Sequence, residues 1–211
     1  PCNTGRRDTP GRTRFETRPS MILEVVKYGH PVLRQKGARI EAVTPAIRTL
    51  AQDMLATMYA AHGIGLAAQQ VGQALQLTVL DIRGITDRPS QLTLDRQASD
   101  PEAFMPLVLI NPEITPLAPL VSGPEGCLSF PELFGDVPRP ESARVQAWDA
   151  DGQPLDFQCG GLLARAIQHE HDHLHGILFI DRMDKATREA LRPDLERLQA
   201  ETKAALRAAQ K

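Results

Sequence analysis

The chain has 211 residues, of which 42% are hydrophobic and 24% charged, enough for one globular domain with a buried core. Its net charge of −2 excludes a strongly basic nucleic-acid-binding protein, and three cysteines are too few for a disulfide-built fold. The longest apolar runs, such as PLVLINP, stop far short of the ~20 residues that cross a bilayer, so we expect no membrane partner and a cytoplasmic protein.

Residues 1–20 contain five arginines, three prolines and almost no apolar side chain. Such a segment cannot join a core, so we predict a disordered tail or a non-native extension. An organellar presequence is the less favoured interpretation, because Asp8 and Glu16 are untypical of one. The first apolar stretch, MILEVV, starts at Met21, and we expect a single domain over residues 21–211.

The clearest predicted helix is VTPAIRTLAQDMLATMYAAHG, residues 43–63. Thr44 suits its N-cap, Pro45 its first turn and Gly63 its exit. Five apolar residues lie on one stripe of this helix: Ile47, Leu50, Met54, Met58 and Ala61. A glycine-rich loop is expected to follow.

Runs rich in apolar and β-branched residues predict strands at LQLTVLDI, LVLINPEI, ARVQAWDA and LDFQC. The last two are joined through DADGQPL, which indicates a hairpin. Residues 83–105 are polar, contain two prolines and show no sustained period, so they are predicted to form a surface insertion.

Two more helices are predicted in the C-terminal part of the chain. GGLLARAIQHEHDHLHG, residues 160–176, has the length of a buried helix bounded by glycines. Residues 184–211 are helical by composition, with Pro193 starting or kinking their second part. The expected class is α+β, with mainly antiparallel sheets packed around a central metal-binding helix and a C-terminal helix.

Four of the six histidines lie within QHEHDHLHG. Residues four apart share a helix face, so two pairs could chelate a metal ion: His169 with His173, and His171 with His175. Spacing alone does not choose between the pairs. We interpret His171 and His175 as surface or supporting groups, because the first pair has the better acid between its members.

That acid is Glu170, which completes an H-E-x-x-H pattern with His169 and His173. A glutamate beside a ligand can take a proton from water at the metal, whereas Asp172, between the other two histidines, is one methylene shorter. We therefore predict His169 and His173 as metal ligands and Glu170 as general base.

The third ligand decides the class of enzyme. A metzincin protease requires a histidine where this chain has Phe179, which cannot bind a metal. An H-E-x-x-H peptidase of another type would use a downstream glutamate such as Glu189 or Glu196, but both lie in a charge-mixed helix. The peptidase is one alternative that the residues leave open.

Cysteine is the other source of a third ligand. Cys127 lies in GPEGCLSFPE, a predicted loop of irregular backbone, and Cys159 ends a strand ten residues before His169. A lone cysteine is usually a buried, inert thiol. The second alternative is a structural zinc protein. In it, Cys127, Cys159, His169 and His173 would close a tetrahedral site.

Three motifs, in this order, carry a family resemblance. GIGLAAQQ resembles G-x-G-x-A-A-x-Q, EGCLS resembles E-G-C-x-S, and QHEHDH resembles Q-H-E-x-D-H, all of the peptide deformylase family. GIGLAA also resembles a dinucleotide-binding fingerprint, but it follows a predicted helix and not a strand. The resemblance to peptide deformylases covers the chain from Met21 to its end.

The resemblance implies a metal-dependent hydrolase that removes the N-terminal formyl group from formylmethionine of newly made polypeptides and releases formate. It implies one divalent metal ion, Fe(II) in the working enzyme, with Zn, Ni or Co as other occupants. It further implies a bacterial-type, cytoplasmic enzyme. The segment from Arg182 onward has eight basic and five acidic residues, 8 − 5 = +3, which could favour transient contact with the ribosome.

By the same resemblance, the metal ligands of the family fall on Cys127, His169 and His173. Glu170 falls on its general base, and the Gln70 side chain and the Leu128 backbone N–H fall on its oxyanion donors. Gly63 and Gly65 would let an extended substrate approach the backbone. A methionine-sized pocket is expected from Ile64, Leu66, Leu162 and Ala166.

Two further residues near the histidines have open roles. Arg165, four residues before His169, departs from the apolar residue of many bacterial members, and it either narrows the pocket or pairs with an acid. We favour pairing, because a buried unpaired charge is costly. Asp172 is expected to accept the second ring N–H of a ligating histidine.

Overall fold

The structure, a computed structural model, describes residues 19–209. The predicted tail, residues 1–20, lies outside this range except for its last two residues. Within the range there are three α-helices and nine β-strands: α1 Pro45–Ala60, β1 Gly65–Ala67, β2 Leu77–Leu80, β3 Ser90–Leu94, β4 Gln97–Ser99, β5 Leu107–Pro116, β6 Leu120–Cys127, β7 Phe130–Pro140, β8 Ser142–Trp148, β9 Pro154–Gly160, α2 Gly161–Leu174 and α3 Lys185–Ala209.

α1 forms as its sequence predicts. The Thr44 hydroxyl caps it by accepting the Ile47 N–H, and Pro45 occupies its first turn. The helix ends at Ala60, three residues before Gly63, because His62 takes a positive φ of 55° that no helix can continue. Of its apolar stripe, Met54 and Met58 are buried and Ile47 and Leu50 half-buried, all in the core cluster that includes residues of β1 and β2.

Seven strands form one antiparallel sheet in the order β1-β2-β5-β8-β9-β3-β4. β6 and β7 form a separate two-stranded sheet. α2 packs its apolar residues against the larger sheet in the main core cluster and lies beside β7. The predicted α+β class with a central helix is therefore confirmed.

The segment 83–105 is largely exposed, but it also contains two strands and a few residues that join the core. It contains the hairpin of β3 and β4, and β3 pairs with β9, with Leu92 opposite Cys159. Leu92 and Phe104 are each 3% exposed and belong to the main core. The hairpin lies at the edge of the sheet, where polar residues between single buried ones hide the strand period.

This segment also caps the central helix. The Pro89 carbonyl accepts the Leu162 N–H at 3.0 Å, and the Ser90 hydroxyl accepts the Leu163 N–H at 3.1 Å. The first N–H groups of a helix have no partner inside the helix, so these acceptors stabilise the start of α2.

β6 and β7 were not predicted, because prolines interrupt both strands. A two-stranded sheet tolerates them, since each strand has an outer edge without a hydrogen-bonding neighbour. Cys127 is the last residue of β6 and is joined to β7 by the turn at Leu128 and Ser129, so the expected irregular loop is wrong. Part of the expected glycine-rich loop likewise forms β1.

The extended segment 21–28 joins the two sheets. The Val26 N–H donates to the Gln70 carbonyl at 2.9 Å, in the helical turn that follows β1. The Tyr28 N–H donates to the Ser129 carbonyl at 2.9 Å, in the turn between β6 and β7. The segment therefore fixes these two turns relative to each other.

The C-terminal helix α3 is continuous through Pro193. Among its described residues Leu195 alone is fully buried, and most of the helix faces solvent. Within residues 19–209, no helix has both the length and the apolar character of a membrane span.

Candidate metal centre

Three predicted ligands meet at the end of β6. Cys127 closes that strand, and His169 and His173 lie one turn apart on α2. Their ligand atoms all lie within 4.8 Å of one another, and the Cys127 Sγ is 3.3 Å from the His173 Nε2. Within residues 19–209 this is the one such group of three or more potential ligands.

The residues present fit a divalent metal ion. His169 Nδ1 donates to the Glu125 carboxylate at 2.9 Å, so its Nε2 keeps a lone pair for a ligand bond. His173 Nδ1 is buried and has no hydrogen-bond partner among the described residues. One thiolate and two imidazoles are ligands that suit Fe(II), Zn, Ni and Co, and three protein ligands leave a position for reactants.

The two imidazoles differ in their affinity for protons. Burial alone would lower the pKa of His169, but hydrogen bonds with Cys127 and Glu125 raise it well above its usual value. Burial, together with the charge of His169, lowers the pKa of His173 well below its usual value. His173 therefore favours the neutral form that binds a metal, whereas at His169 a metal ion would have to displace the proton that Cys127 and Glu125 stabilise.

Glu125 has a role at the metal centre that was not predicted, although the motif EGCLS contains this residue. Arg139 binds its carboxylate through two bonds, at 2.6 and 3.0 Å. Burial would raise the pKa of Glu125, but hydrogen bonds from His169 and Arg139 lower it to about 2. Glu125 is therefore ionised, and it holds the His169 ring in place.

The expectation for Asp172 is wrong. Its carboxylate binds Arg139 at 2.8 Å and Arg182 at 2.7 Å, and not a ring N–H of a ligating histidine. The His173 Nδ1 accordingly has no hydrogen-bond partner among the described residues. A chain of alternating charges thus runs from His169 through Glu125, Arg139 and Asp172 to Arg182 at the surface.

Glu170 faces the metal centre from a buried position. It is 4% exposed, and its Oε2 has no hydrogen-bond partner among the described residues. Burial raises its pKa to about 7, which suits a group that takes and returns a proton near neutral pH. A Cβ on Gly65 would lie 2.4 Å from its Oε1, so β1 approaches the carboxylate closely because residue 65 has no side chain.

The two predicted oxyanion donors lie on opposite turns. The Gln70 Oε1 accepts the Ala67 N–H at 2.8 Å, which directs its amide nitrogen to within 3.4 Å of the Cys127 Sγ. Leu128 follows Cys127 directly, and the Lys27 ammonium binds its carbonyl at 2.9 Å. Both Gln70 and Leu128 line the same cleft.

A cleft of about 370 Å³ opens at the metal centre. Five of the six predicted substrate residues line it: Gly63, Ile64, Gly65, Leu162 and Ala166. Leu66 does not line the cleft, because neighbouring residues of a strand face opposite sides and its side chain is fully buried against α1. Arg165 lines the cleft and also pairs with an acid, its Nη1 donating to the Glu125 carboxylate at 2.9 Å.

The rival third ligands lie elsewhere in the structure. The Cys159 thiol is in the core and donates to the Ala143 carbonyl at 3.6 Å, and burial raises its pKa to about 12. Glu189 pairs with Arg192 on the exposed face of α3, and Glu196 is exposed on the same helix. None of these acids or thiols joins the ligand group, so both alternative sites lack a ligand.

The second histidine pair also lies apart from the metal centre. The His171 and His175 rings have centroids 4.4 Å apart, and a hydrogen bond of 2.9 Å joins His175 Nδ1 to the His171 carbonyl. Both are half-buried. This agrees with the interpretation of these residues as supporting groups.

Comparisons with known proteins agree with the site. The family model for polypeptide deformylase matches residues 22–189. The chain belongs to the polypeptide deformylase family. The motif resemblance is therefore confirmed, and with it the assignment of an enzyme, a metal-dependent hydrolase of this family.

Individual relatives are similar over most of their length. The peptide deformylase of Opitutus terrae is 49% identical over 187 residues, 88% of this chain and 97% of that protein. The peptide deformylase of Methylacidiphilum infernorum is 44% identical over 178 residues, 84% of this chain and 93% of that protein.

Solved deformylase structures share the fold. The peptide deformylase of Synechococcus elongatus, in complex with actinonin, has a TM-score of 0.69 and 42% identity, and the match covers 82% of this chain and 87% of that one. The enzyme of Thermus thermophilus has a TM-score of 0.71 and 39% identity, with 86% and 99% covered.

Proposed function

We propose that this deformylase hydrolyses the formyl amide at the amino end of newly made polypeptides that begin with formylmethionine. The products are formate and a free amino terminus. The observation that carries the proposal is the group of Cys127, His169 and His173 with the Glu170 carboxylate beside it, at the base of a cleft in a chain of this family.

Glu170 has the position and the proton affinity of the general base. A divalent metal held by the three ligands would supply Lewis acidity, which polarises a carbonyl group and makes water easier to deprotonate. Glu170 takes the proton of the attacking water and passes it to the amine nitrogen as the C–N bond breaks. Its burial keeps bulk water from protonating it in competition.

Negative charge grows on the formyl oxygen as water attacks. We assign its stabilisation to the Gln70 amide nitrogen and the Leu128 N–H, the two donors that line the cleft near Cys127. The Ala67 N–H orients the Gln70 amide in advance, so little reorganisation is needed during reaction. Loss of one such donor costs about 100-fold in rate or more.

The substrate main chain is proposed to lie along β1. This strand is at the end of the larger sheet, and its outer edge borders the cleft at Gly63 and Gly65. An extended peptide can add to such an edge through main-chain hydrogen bonds. The first side chain would then enter the apolar part of the cleft formed by Ile64, Leu162 and Ala166.

We propose Fe(II) as the metal of the working enzyme, in the cytoplasm of a bacterial-type cell. The thiolate and the two imidazoles support a transition metal, and the choice of iron rests on the family resemblance. Anaerobic purification with metal analysis tests it: iron in a stoichiometric amount, with the highest rate of formate release in the iron form, is expected. A zinc form that equals the iron form in rate would contradict it.

The experiment that tests the function measures formate release from formyl-Met-Ala-Ser by the native chain and by Glu170→Ala. The variant should bind metal and stay folded, but should lose about 100-fold to 10,000-fold in rate, the usual contribution of general base catalysis. Retained formate release in Glu170→Ala would contradict the mechanism. Cleavage of a peptide bond by Cys127→Ala would favour the peptidase instead.

Transient contact with the ribosome through α3 is a further proposal. Lys185, Arg188 and Arg192 line one groove of α3, of about 450 Å³. Glu189 and Glu196 share the groove, so the attraction to ribosomal RNA would be modest and sensitive to salt. Co-sedimentation with ribosomes should weaken in the charge reversal Arg188→Glu with Arg192→Glu, and equal co-sedimentation would leave α3 an ordinary solvated helix.

A further inference from the structure

Arg165 lies on the same face of α2 as the metal ligand His169. Leu162, Arg165, Ala166 and His169 follow the i, i+3, i+4, i+7 spacing of one helix face, and all four line the cleft. A substrate would bind with its formyl group at the metal centre, beside His169. Its first side chain would therefore extend along this face toward Arg165.

The guanidinium of Arg165 is held at a fixed place. Its Nη1 donates to the Glu125 carboxylate at 2.9 Å and to the Val137 carbonyl at 2.7 Å. Its Nη2 donates to the Val121 carbonyl at 2.7 Å. The side chain is 12% exposed, so these bonds are shielded from solvent and hold the group rigidly.

Gly123 leaves the space that the guanidinium occupies. A Cβ on this residue would lie 3.1 Å from the Arg165 Nη2, 3.3 Å from its Cζ and 3.5 Å from its Nε. The backbone of β6 thus packs directly on the guanidinium, and a side chain at residue 123 would force the guanidinium to shift. The absence of a side chain at Gly123 therefore helps to fix the position of Arg165, which lines the cleft.

The guanidinium has more N–H donors than its hydrogen bonds use. It carries five N–H groups. With a fourth bond, from Nη1 to the Gly123 carbonyl at 3.4 Å, all its bonds with described residues start from Nη1 or Nη2, and its Nε donates to no acceptor within residues 19–209. The side chain lines the cleft, so an unused N–H group can serve a group bound there if it is directed into the cleft.

We propose that Arg165 forms the end wall of the pocket for the first side chain of the substrate and donates an N–H to the thioether sulfur of formylmethionine. This inference rests on the proposed deformylase function and makes Arg165 a specificity-determining residue of that reaction. Methionine is apolar along its stem and has a weak acceptor, sulfur, near its end. The stem would contact Leu162 and Ala166, and the sulfur would meet Arg165.

Norleucine is the matched probe, because it replaces the sulfur by a methylene at similar length. A net hydrogen bond is worth a factor of about 3 to 10. We therefore expect kcat/KM for formyl-Met-Ala-Ser to exceed that for formyl-norleucyl-Ala-Ser by about 3-fold to 10-fold in the native chain. The ratio of the two substrates is the readout, because a merely structural role of Arg165 would lower both values and leave the ratio unchanged.

The variant Arg165→Leu removes the donor and should bring the ratio close to one. Arg182→Leu is the control, since Arg182 belongs to the same buried charge network through Asp172 but does not line the cleft. It should keep the native ratio. The two results together support the proposal.

Two outcomes overturn it. A ratio near one in the native chain does so without any variant, and so remains decisive if Arg165→Leu fails to fold. If Arg165→Leu keeps the native ratio of kcat/KM between the two substrates, a group other than Arg165 distinguishes the sulfur from the methylene. Absence of formate release from both peptides would instead contradict the deformylase function itself.

Discussion

Replacing Gly65 by alanine tests the position of Glu170. The new Cβ would lie 2.4 Å from the Glu170 Oε1, while ordinary contacts begin at 3.4 Å, so the carboxylate must move by 3.4 − 2.4 = 1.0 Å. A misplacement of this size in an active site can cost about 100-fold in rate. We therefore expect kcat to fall about 100-fold, or ~2.7 kcal/mol in activation free energy.

The assay is steady-state formate release from formyl-Met-Ala-Ser, with metal content measured on the same preparation. Metal content should not change, because the atoms nearest to the new methyl all belong to Glu170. Gly63→Ala is the comparison in the same segment. Its Cβ would meet Leu128 Cδ1 at 2.7 Å, the flexible end of a side chain that can move away, so the loss should stay within about 10-fold.

A double mutant decides whether the effect passes through Glu170. Two changes that act through one group are not additive, so Gly65→Ala should cost nothing further in a Glu170→Ala background. A further loss of about 10-fold there, or an undiminished rate in the single Gly65→Ala variant, would refute the reasoning.

Three other predictions concern the cysteine ligand of the metal, the carboxylate that holds the His169 ring, and the stability of the fold. Cys127→Ser should lose most of its bound metal while Cys159→Ser keeps it, as metal analysis after dialysis would show, because only the first thiol belongs to the ligand group. Glu125→Gln should bind metal about 10-fold to 100-fold more weakly in a chelator competition, since the ring of a ligating histidine loses its carboxylate. Asp181→Asn should lower the free energy of unfolding by about 1 kcal/mol at pH 7 and less at lower pH, measured by urea titration.

The pH dependence of the last prediction follows from the ion pair of Asp181 with Arg34. Burial would raise the pKa of Asp181, but the hydrogen bond from Arg34 lowers it. A lowered carboxyl pKa stabilises the fold above the unfolded pKa of about 4, and this contribution is lost as the pH falls through the folded value. A difference between native and variant that grows toward pH 3 would contradict the assignment.

The other two predictions have their own contradicting results. Equal metal loss in both cysteine variants would return Cys159 to the ligand set and favour the structural zinc site. Unchanged metal affinity in Glu125→Gln would mean that the His169 ring is held by its packing and not by the carboxylate. The matched control there is Asp172→Asn, which alters the same network without touching a ligand histidine.

The helix that carries the two histidines could be predicted from sequence because its evidence is local. Glycines bound it, and the spacing of His169, Glu170 and His173 has meaning only on a helix. The choice between Cys127 and Cys159 was not local, and the three motifs made it by resemblance. The physical reason is now visible: Cys159 is on a strand whose side faces the core, and Cys127 ends a strand beside α2.

The incorrect predictions have different physical causes, each of which needs knowledge of the folded structure. β6 and β7 contain prolines that argue against strands unless a free edge is known in advance. The family resemblance implies a methionine pocket to which Leu66 was assigned, but strand alternation turns its side chain to the core. Glu125 is 44 residues from the histidine that it supports, a contact that no local pattern indicates.

The extended segment 21–28 has a consequence for handling the protein. It donates to the carbonyl of Gln70 and to that of Ser129, so it fixes the turn that carries one oxyanion donor and the turn that carries the other. Proteolytic trimming within this segment should therefore inactivate the enzyme although every ligand and the base remain. An affinity tag must therefore leave the residues that follow Met21 in place.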